Sequence, residues 1–414
     1  MRILFVNPPS DNPYTELKAV EPPVWCALLA SFLVERNGLA EFFRGKTKPT
    51  IWDTEVEPSY PFSNRRFDTI FVVVMGSNPS ASSTPKMTQA LKIVEQLQHK
   101  QGTRIVLTGL HLMNNFDIPA NTELWFIPPS SELAQLTPAW DLINFSKYRA
   151  HNWHCLDRLD KRGNYAVIYT SFGCPYDCPY CNIHTLYGGR QVHYRPIEEV
   201  LKELDYLVQV RGIRNLKIAD ECWTLNRKRT MALCDEIAER DYNLNIWAYG
   251  RGDTVDSKML RKMKKAGINW IAYGFETAKE KKFIARNSDA VEMTRDAGIN
   301  IMANFMFGLP GETEDDWQAS LDMAVRENFE FVNFYVALPY PGSEWYASLK
   351  EKPTDWSRFN QFSPDICADP KVVRFRDEAY HSYITRPEYL SMVKSKFGEK
   401  AEDHIKEMAQ RRIR

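Results

Sequence analysis

Lys and Arg number 53, and so do Asp and Glu, so the 414 residues carry no net charge at neutral pH. That absence leaves no electrostatic footprint for general nucleic-acid binding. Long apolar runs are missing too: no stretch approaches the ~20 residues that a membrane-spanning helix needs. The opening Met1–Pro9 turns polar too early for a signal peptide and reads as a strand entering a loop. Cysteine is scarce. Of eight, Cys26, Cys155, Cys222, Cys234 and Cys367 are scattered singly and read as small buried hydrophobes. A secreted disulfide framework is disfavoured, and a reduced, cytoplasmic setting is expected.

What is present is globular. Hydrophobic residues make up 44% and charged residues 26%, and the length asks for two or three domains. Residues 1–130 alternate strand and helix signals. The apolar runs Ile3–Val6, Thr50–Asp53, Asp68–Met75 and Arg104–Thr108 alternate with helical spacing over Val24–Glu35 and Pro85–His99. Such alternation predicts a Rossmann-like, doubly wound parallel sheet, whose ligand crevice lies past the carboxyl ends of the strands. Here those ends are Asn7–Pro9, Met75–Ser77 and Thr108–His111. Residues 131–160 read as an irregular, proline-marked connector, and the irregularity begins near 120.

A second alternation fills 161–345. Strand-like stretches at 165–170, 214–219, 244–249, 269–275, 299–307 and 330–338 are separated by helical ones. Six β/α units predict a partial (β/α)6 barrel of TIM type, whose active site gathers at the strand C-termini. Residues 346–414 read as a small helical C-terminal region, so the fold class is α/β with that appendage.

The densest chemistry is Ser171-Phe-Gly-Cys-Pro-Tyr-Asp-Cys-Pro-Tyr-Cys-Asn182, just past the first barrel strand. Cys174, Cys178 and Cys181 offer three thiolates in eight residues. Thiolates hold [4Fe–4S] clusters, usually four of them, so three leave one iron open. Structural zinc is the alternative, with His184 as a fourth ligand, but no second C-x2-C knuckle is present.

The triplet, with Tyr180 before its last cysteine, resembles the radical S-adenosylmethionine (SAM) superfamily. In that family three thiolates hold the cluster and SAM binds the open iron. One electron then cleaves SAM to methionine and a 5′-deoxyadenosyl radical, which abstracts hydrogen from the substrate. Further segments share the resemblance: Asn245–Val255 with Arg251, Ala272–Thr277 with Glu276, Phe305–Thr313 with Gly308, and the turn Pro339–Ser343. The resemblance implies SAM contacts at Tyr180, Arg251, Glu276, Asn304 and Gly308. A guanidinium pairs bidentately with a carboxylate, which suits Arg251 to the SAM carboxylate. Asp220 and Glu221, at the end of the second strand, either hold the SAM amine or cap the next turn.

The front segments Leu4–Pro9, Pro22–Ser31, Trp52–Glu55, Val72–Ser77 and Val106–His111 resemble the cobalamin-binding domain of the B12-associated radical SAM class. So do Phe375–Tyr380 and Lys396–Gly398 near the end of the chain. The resemblance implies a corrinoid facing the cluster, with Asn7, Met75, Ser77, Gly109 and His111 lining its crevice. The Asp-x-His-x-x-Gly signature of an axial histidine is absent, and the stretch from Asp53 to Asp68 is short for the class. The implied activity is hydrogen abstraction from an unactivated carbon, ending in methyl transfer or rearrangement. The alternatives are a B12-independent isomerase or oxidoreductase with a vestigial front domain, and a non-catalytic metal-stabilised binding protein. Implied partners are a low-potential electron donor such as flavodoxin or ferredoxin, and a small-molecule, nucleotide, sugar or peptide substrate. Aromatics near strand ends, Trp223, Tyr249, Tyr273, Phe305 and Tyr335, are candidate cavity walls. The residues that would act directly on the substrate are not legible.

Overall fold

A computed structural model describes residues 2–11, 17–35, 48–62, 65–78, 83–98, 102–112, 118–279, 281–353, 355–361 and 369–410, with the backbone alone over 281–287. Cys367, Pro79, His99 and the basic end 411–414 lie outside these.

The front half builds one parallel sheet. Strands β1 (Ile3–Asn7), β2 (Thr50–Asp53), β3 (Thr69–Val73), β4 (Arg104–Thr108) and β5 (Thr122–Trp125) run in the order β2-β1-β3-β4-β5. β1 and β3 are buried along their whole length, which is why their sequences are continuous apolar runs rather than alternating ones. β5 corrects the expectation of irregular chain from residue 120: its central Glu123 and Leu124 are exposed, as on an edge strand, so it gives no apolar signal. No helix is described between β2 and β3. Trp52, Tyr60, Phe62 and Phe67 cover that ground in an edge-to-face chain with centroids 5.1, 5.6 and 5.2 Å apart.

Helix α1 (Val24–Glu35) is buried from Val24 through Leu33. A helix apolar all round must be covered all round. It lies between the sheet and the second domain: Phe32 meets Trp125 of β5, while Trp25 packs edge-on against Tyr169 and Phe172 and donates Nε1–H to the Tyr169 hydroxyl at 3.0 Å. Helix α2 (Met87–Leu97) is amphipathic and packs against β3 and β4.

The second domain is a six-stranded parallel sheet, β13-β12-β11-β10-β9-β6, formed by β6 (Tyr165–Ile168), β9 (Asn215–Ile218), β10 (Asn245–Gly250), β11 (Ile268–Glu276), β12 (Asn300–Phe307) and β13 (Phe331–Val336). A small hairpin, β7 (Ser171–Phe172) with β8 (His193–Tyr194), follows β6. Among the described residues β6 and β13 do not pair, so this is the expected partial barrel, open along one side. The front domain reaches into that side. Val20 pairs with Arg149, Ala19 N–H donates to His151 Nδ1 at 3.1 Å, and Glu21 accepts from the Tyr165 hydroxyl of β6 at 2.9 Å.

Three helices finish the chain: α3 (Pro370–Ile384), α4 (Pro387–Phe397) and α5 (Glu399–Gln410). α3 runs along β13 with its start against Phe307 at the C-terminal end of β12, and the chain then reaches the N-terminal end of the barrel. Tyr383 and Tyr389 donate to the carbonyls of Phe329 and Glu330, just before β13, and Phe397 stacks on Trp270 of β11 at 5.7 Å. Ile405 has no exposed surface. Truncating it to Ala should cost about 2–4 kcal/mol of stability, the usual range for a buried aliphatic. Equilibrium denaturation measures it, and a cost below about 0.5 kcal/mol would show that α5 is not part of the barrel's core.

Candidate functional site

The triplet loop leaves the sheet between β7 and β8, whose pairing of Phe172 with His193 holds its ends together. Inside it, Cys181 N–H donates to the Cys178 carbonyl at 2.9 Å, and the short helix Ile183–Tyr187 follows directly. The turn at Pro339–Trp345 clasps the loop from outside. Trp345 N–H donates to Pro179 O at 2.9 Å, Asn182 Nδ2 to Pro341 O at 3.2 Å, and Thr185 Oγ1 to Gly342 O at 2.7 Å. Gly342 has φ of +92°, and a Cβ there would stand 2.9 Å from the Thr185 side chain. The turn is therefore a clamp that needs glycine on steric and backbone grounds.

Cys174, Cys178 and Cys181 are half-buried, and none of the seven described cysteines is in a disulfide. Burial pushes the Cys174 thiol up to about 12, and burial likewise raises Cys178. Thiols must give up their protons to bind a metal, so loading the loop releases protons. His184 does not complete a zinc set, because its Nε2 bonds the Cys174 carbonyl at 3.0 Å. Among the described residues no three His, Cys, Asp or Glu converge to hold a single ion. A four-iron cube takes its thiolates at separate corners, so it needs no such convergence. The three-thiol donor set fits the cluster.

All three cysteines face a cavity of about 880 Å³ between the domains. Of the SAM residues expected from sequence, Tyr180, Glu221, Arg251, Glu276 and Asn304 line it. Arg251 stacks on Tyr176 of the triplet loop at 3.8 Å and forks onto Asp253 through Nε and Nη2, both at 3.0 Å. The guanidinium also hydrogen-bonds the Cys178 side chain. Glu276 sits at the end of β11, past a register shift and at φ of +57°. Its carboxylate folds back over Gly274, where a Cβ would lie 2.3 Å from Oε1. The Gly-x-Glu spacing is therefore steric. Burial raises the Glu276 carboxyl to about 7, against an opposing pull from Arg251. Asn304 Nδ2 bonds Tyr273 O, and its Oδ1 accepts from Asn333.

Two of the residues expected to contact SAM lie outside the cavity. Asp220 is buried and outside the cavity, accepting from Thr170 N, Thr170 Oγ1 and Ser171 Oγ, all at 2.6 Å. It pins the turn between β6 and β7. Gly308 also lies outside, and its N–H donates to Glu312 Oε2 at 3.0 Å. The Gly-Leu-Pro-Gly-Glu turn thus closes on its own glutamate, and Thr313 and Asp316 cap the next helix reciprocally.

On the front wall Asn7, Met75 and Ser77 line the cavity, while Gly109 and His111 do not. Gly109 is pressed onto the Val74 backbone and His111 is fully buried. Asn7 donates to Asp53 at 2.8 Å and accepts from Lys86 at 3.3 Å, and Lys18 pairs with Glu55 at 2.5 Å. The sequence pattern gave no sign of these buried lysines, because a cation inside a helix start or loop looks like any solvated one. The hydroxyls of Ser77 and Thr108, at the ends of β3 and β4, are buried without a hydrogen-bond partner. Of these only Ser77 lines the cavity, and its orphaned hydroxyl with a rim of amide, amine and carboxylate groups fits a ligand edged with amides, as a corrinoid is. Of the aromatic candidates, Tyr249 and Tyr335 line the cavity; Trp223, Tyr273 and Phe305 are core.

Residues 168–324 match the family model described as Radical SAM superfamily. An uncharacterized methyltransferase of Pyrococcus horikoshii is 24% identical over 94% of this chain and 94% of its own length. An anaerobic magnesium-protoporphyrin IX monomethyl ester cyclase of Rubrivivax gelatinosus is 24% identical over 89% of this chain and 74% of its own. The radical SAM methyltransferase TsrM of Kitasatospora setae, solved with cobalamin and a [4Fe–4S] cluster, shares the fold with a TM-score of 0.58 at 16% identity, covering 83% of this chain and 76% of that one.

Two outcomes follow from the geometry. Gly342→Ala should lower iron bound after anaerobic reconstitution with little change in melting temperature, and unchanged iron would contradict the clamp. For Glu276, the folded value of about 7 exceeds the unfolded value of 4.5, so the ligand-free fold binds the extra proton and loses stability as pH rises between them. Glu276→Gln should therefore stabilise the apo-protein at pH 8 by on the order of 3 kcal/mol, with the gain gone at pH 4.5. Denaturation at both pH values reads this, and an equal gain at both would contradict the burial of the charge.

Proposed function

We propose that this chain, whose residues 168–324 match the Radical SAM superfamily model, is a cobalamin-associated radical SAM enzyme that acts on an unactivated carbon, by methyl transfer or by ring-forming rearrangement. One observation carries the reading: a single cavity has the three thiols on one wall and the strand ends of a Rossmann-like sheet on the other. Relatives named as methyltransferases and as a cyclase span nearly the whole chain and support the same pair of outcomes.

When bound, a [4Fe–4S] cluster would supply the one-electron reduction of SAM, and a corrinoid would supply methyl transfer. The chain's own residues bind, orient and shield. Cys174, Cys178 and Cys181 hold the cluster, and the clamp at 339–345 sets its loop. Arg251 presents its guanidinium to the SAM carboxylate, and Glu276 accepts from a SAM amine or ribose hydroxyl, with Glu221 and Asn304 beside it. Tyr180 forms part of the same wall. Asn7, Met75 and Ser77 take the facing ligand. His111 is buried and lies outside the cavity. The aromatic and thioether walls, among them Tyr249, Tyr335, Met302 and Met306, exclude water from the radical's path. A low-potential one-electron donor such as flavodoxin or ferredoxin is required, and the substrate is a small molecule, nucleotide, sugar or peptide. No described helix is long and apolar enough to cross a membrane.

Anaerobically reconstituted protein should release 5′-deoxyadenosine from SAM under strong reductant, and Cys174→Ala, Cys178→Ala and Cys181→Ala should each abolish it. Retained cleavage in any of the three would remove the cluster assignment. After incubation with hydroxocobalamin and desalting, the wild type should keep the corrinoid's visible bands. Their absence would overturn the cobalamin half of the proposal and leave the B12-independent isomerase or oxidoreductase.

A further inference from the structure

Lys217 is the odd residue of β9. Its neighbours Leu216 and Ile218 suit a buried strand, yet the lysine is itself completely buried. It points into the barrel, with Nζ 4.9 Å from the Trp247 ring centre and 5.6 Å from that of Tyr249, both on β10. An ammonium without water must find charge or dipoles nearby. It finds them on the other domain. Nζ lies 3.2 and 3.5 Å from the two oxygens of Glu21, and it also donates to Asn78 Oδ1. Glu21 is held in turn by Tyr165 of β6 at 2.9 Å, and Asn78 Nδ2 donates to the Tyr249 hydroxyl at 2.7 Å.

The topology gives these bonds a meaning beyond packing. Glu21 lies in the segment that enters the open side of the barrel. Asn78 follows Ser77 directly, in the loop past β3 that forms the front wall of the cavity. One barrel ammonium thus grips two front-domain segments that line the cavity.

We propose that Lys217 is a positioning residue: its charge registers the loop Gly76–Asn78 and the segment around Glu21 against the barrel, and so fixes the front-wall ligand site opposite the cluster. Bulk alone does not do this, because Glu21 and Asn78 both offer oxygen acceptors that only a donor can satisfy. The inference rests on the reading of the front wall as a corrinoid site, but half of its test is independent of that reading.

The test compares wild type, Lys217→Met and the double variant Glu21→Gln/Lys217→Met, all with the cluster reconstituted. The single change strands the Glu21 carboxylate, whereas the double change removes both charges and recovers the fold. In the double variant, iron content and SAM affinity should match wild type. Amide exchange over residues 76–78 should be faster, and hydroxocobalamin should bind about tenfold more weakly. Asn78→Asp, which keeps an acceptor for Lys217, should retain wild-type exchange at its neighbours and wild-type hydroxocobalamin affinity, while Asn78→Leu should lose both. Unchanged exchange in the double variant would overturn the inference, and so would hydroxocobalamin affinity equal to wild type. A wild type that binds no hydroxocobalamin defeats the corrinoid reading alone, and the exchange measurement still decides the role of Lys217.

Discussion

A six-stranded parallel barrel left open along one side is incomplete, and everything that matters in this molecule depends on how that opening is filled. The front domain fills it with a buried ion pair, Lys217 with Glu21, backed by Tyr165 on the first barrel strand. A buried pair seldom adds much net stability, because desolvation offsets most of the attraction. What it does supply is a single allowed geometry. Strand ends of two sheets from different domains then face each other across one cavity, and the site exists only because they do.

The cluster side shows the same economy of means. Residues that look like ligand contacts in the sequence are often the parts that hold ligand contacts in place. Asp220 pins the turn into the triplet loop, Glu312 closes the turn at Gly308, and Gly342 lets the clamp reach Thr185. Gly274 leaves the space into which Glu276 folds. Glu276 itself is held at a left-handed φ and with its carboxyl raised to about 7, a local cost in stability at neutral pH that a bound cationic ligand would reverse.

Much of this was legible from the residues. Strands buried on both faces announce themselves as continuous apolar runs, so both parallel sheets and the barrel's six units appear in the pattern. The triplet, Arg251 and Glu276 follow from motif spacing, and the structure gathers them at one cavity. The missing pieces share a physical reason. The edge strand at Thr122–Trp125 buries little and so carries no apolar signal. Asp220 and Gly308 carry the right chemistry, but their hydrogen bonds turn inward, which no spacing reveals. His111 sits at a strand end as expected, yet its side chain is wholly buried. Lys217 left one clue, a cation inside an apolar strand, but its partners lie 196 and 139 residues away in sequence.

The central claim is that three thiolates hold a cluster whose fourth iron is open to SAM. Electron paramagnetic resonance of the anaerobically reconstituted, reduced protein tests it most directly. The account predicts a [4Fe–4S]⁺ signal whose g-values shift when SAM is added, and no shift when Glu276→Gln and Arg251→Ala are combined. A signal unmoved by SAM in the wild type, or no cluster signal after reconstitution, would contradict it.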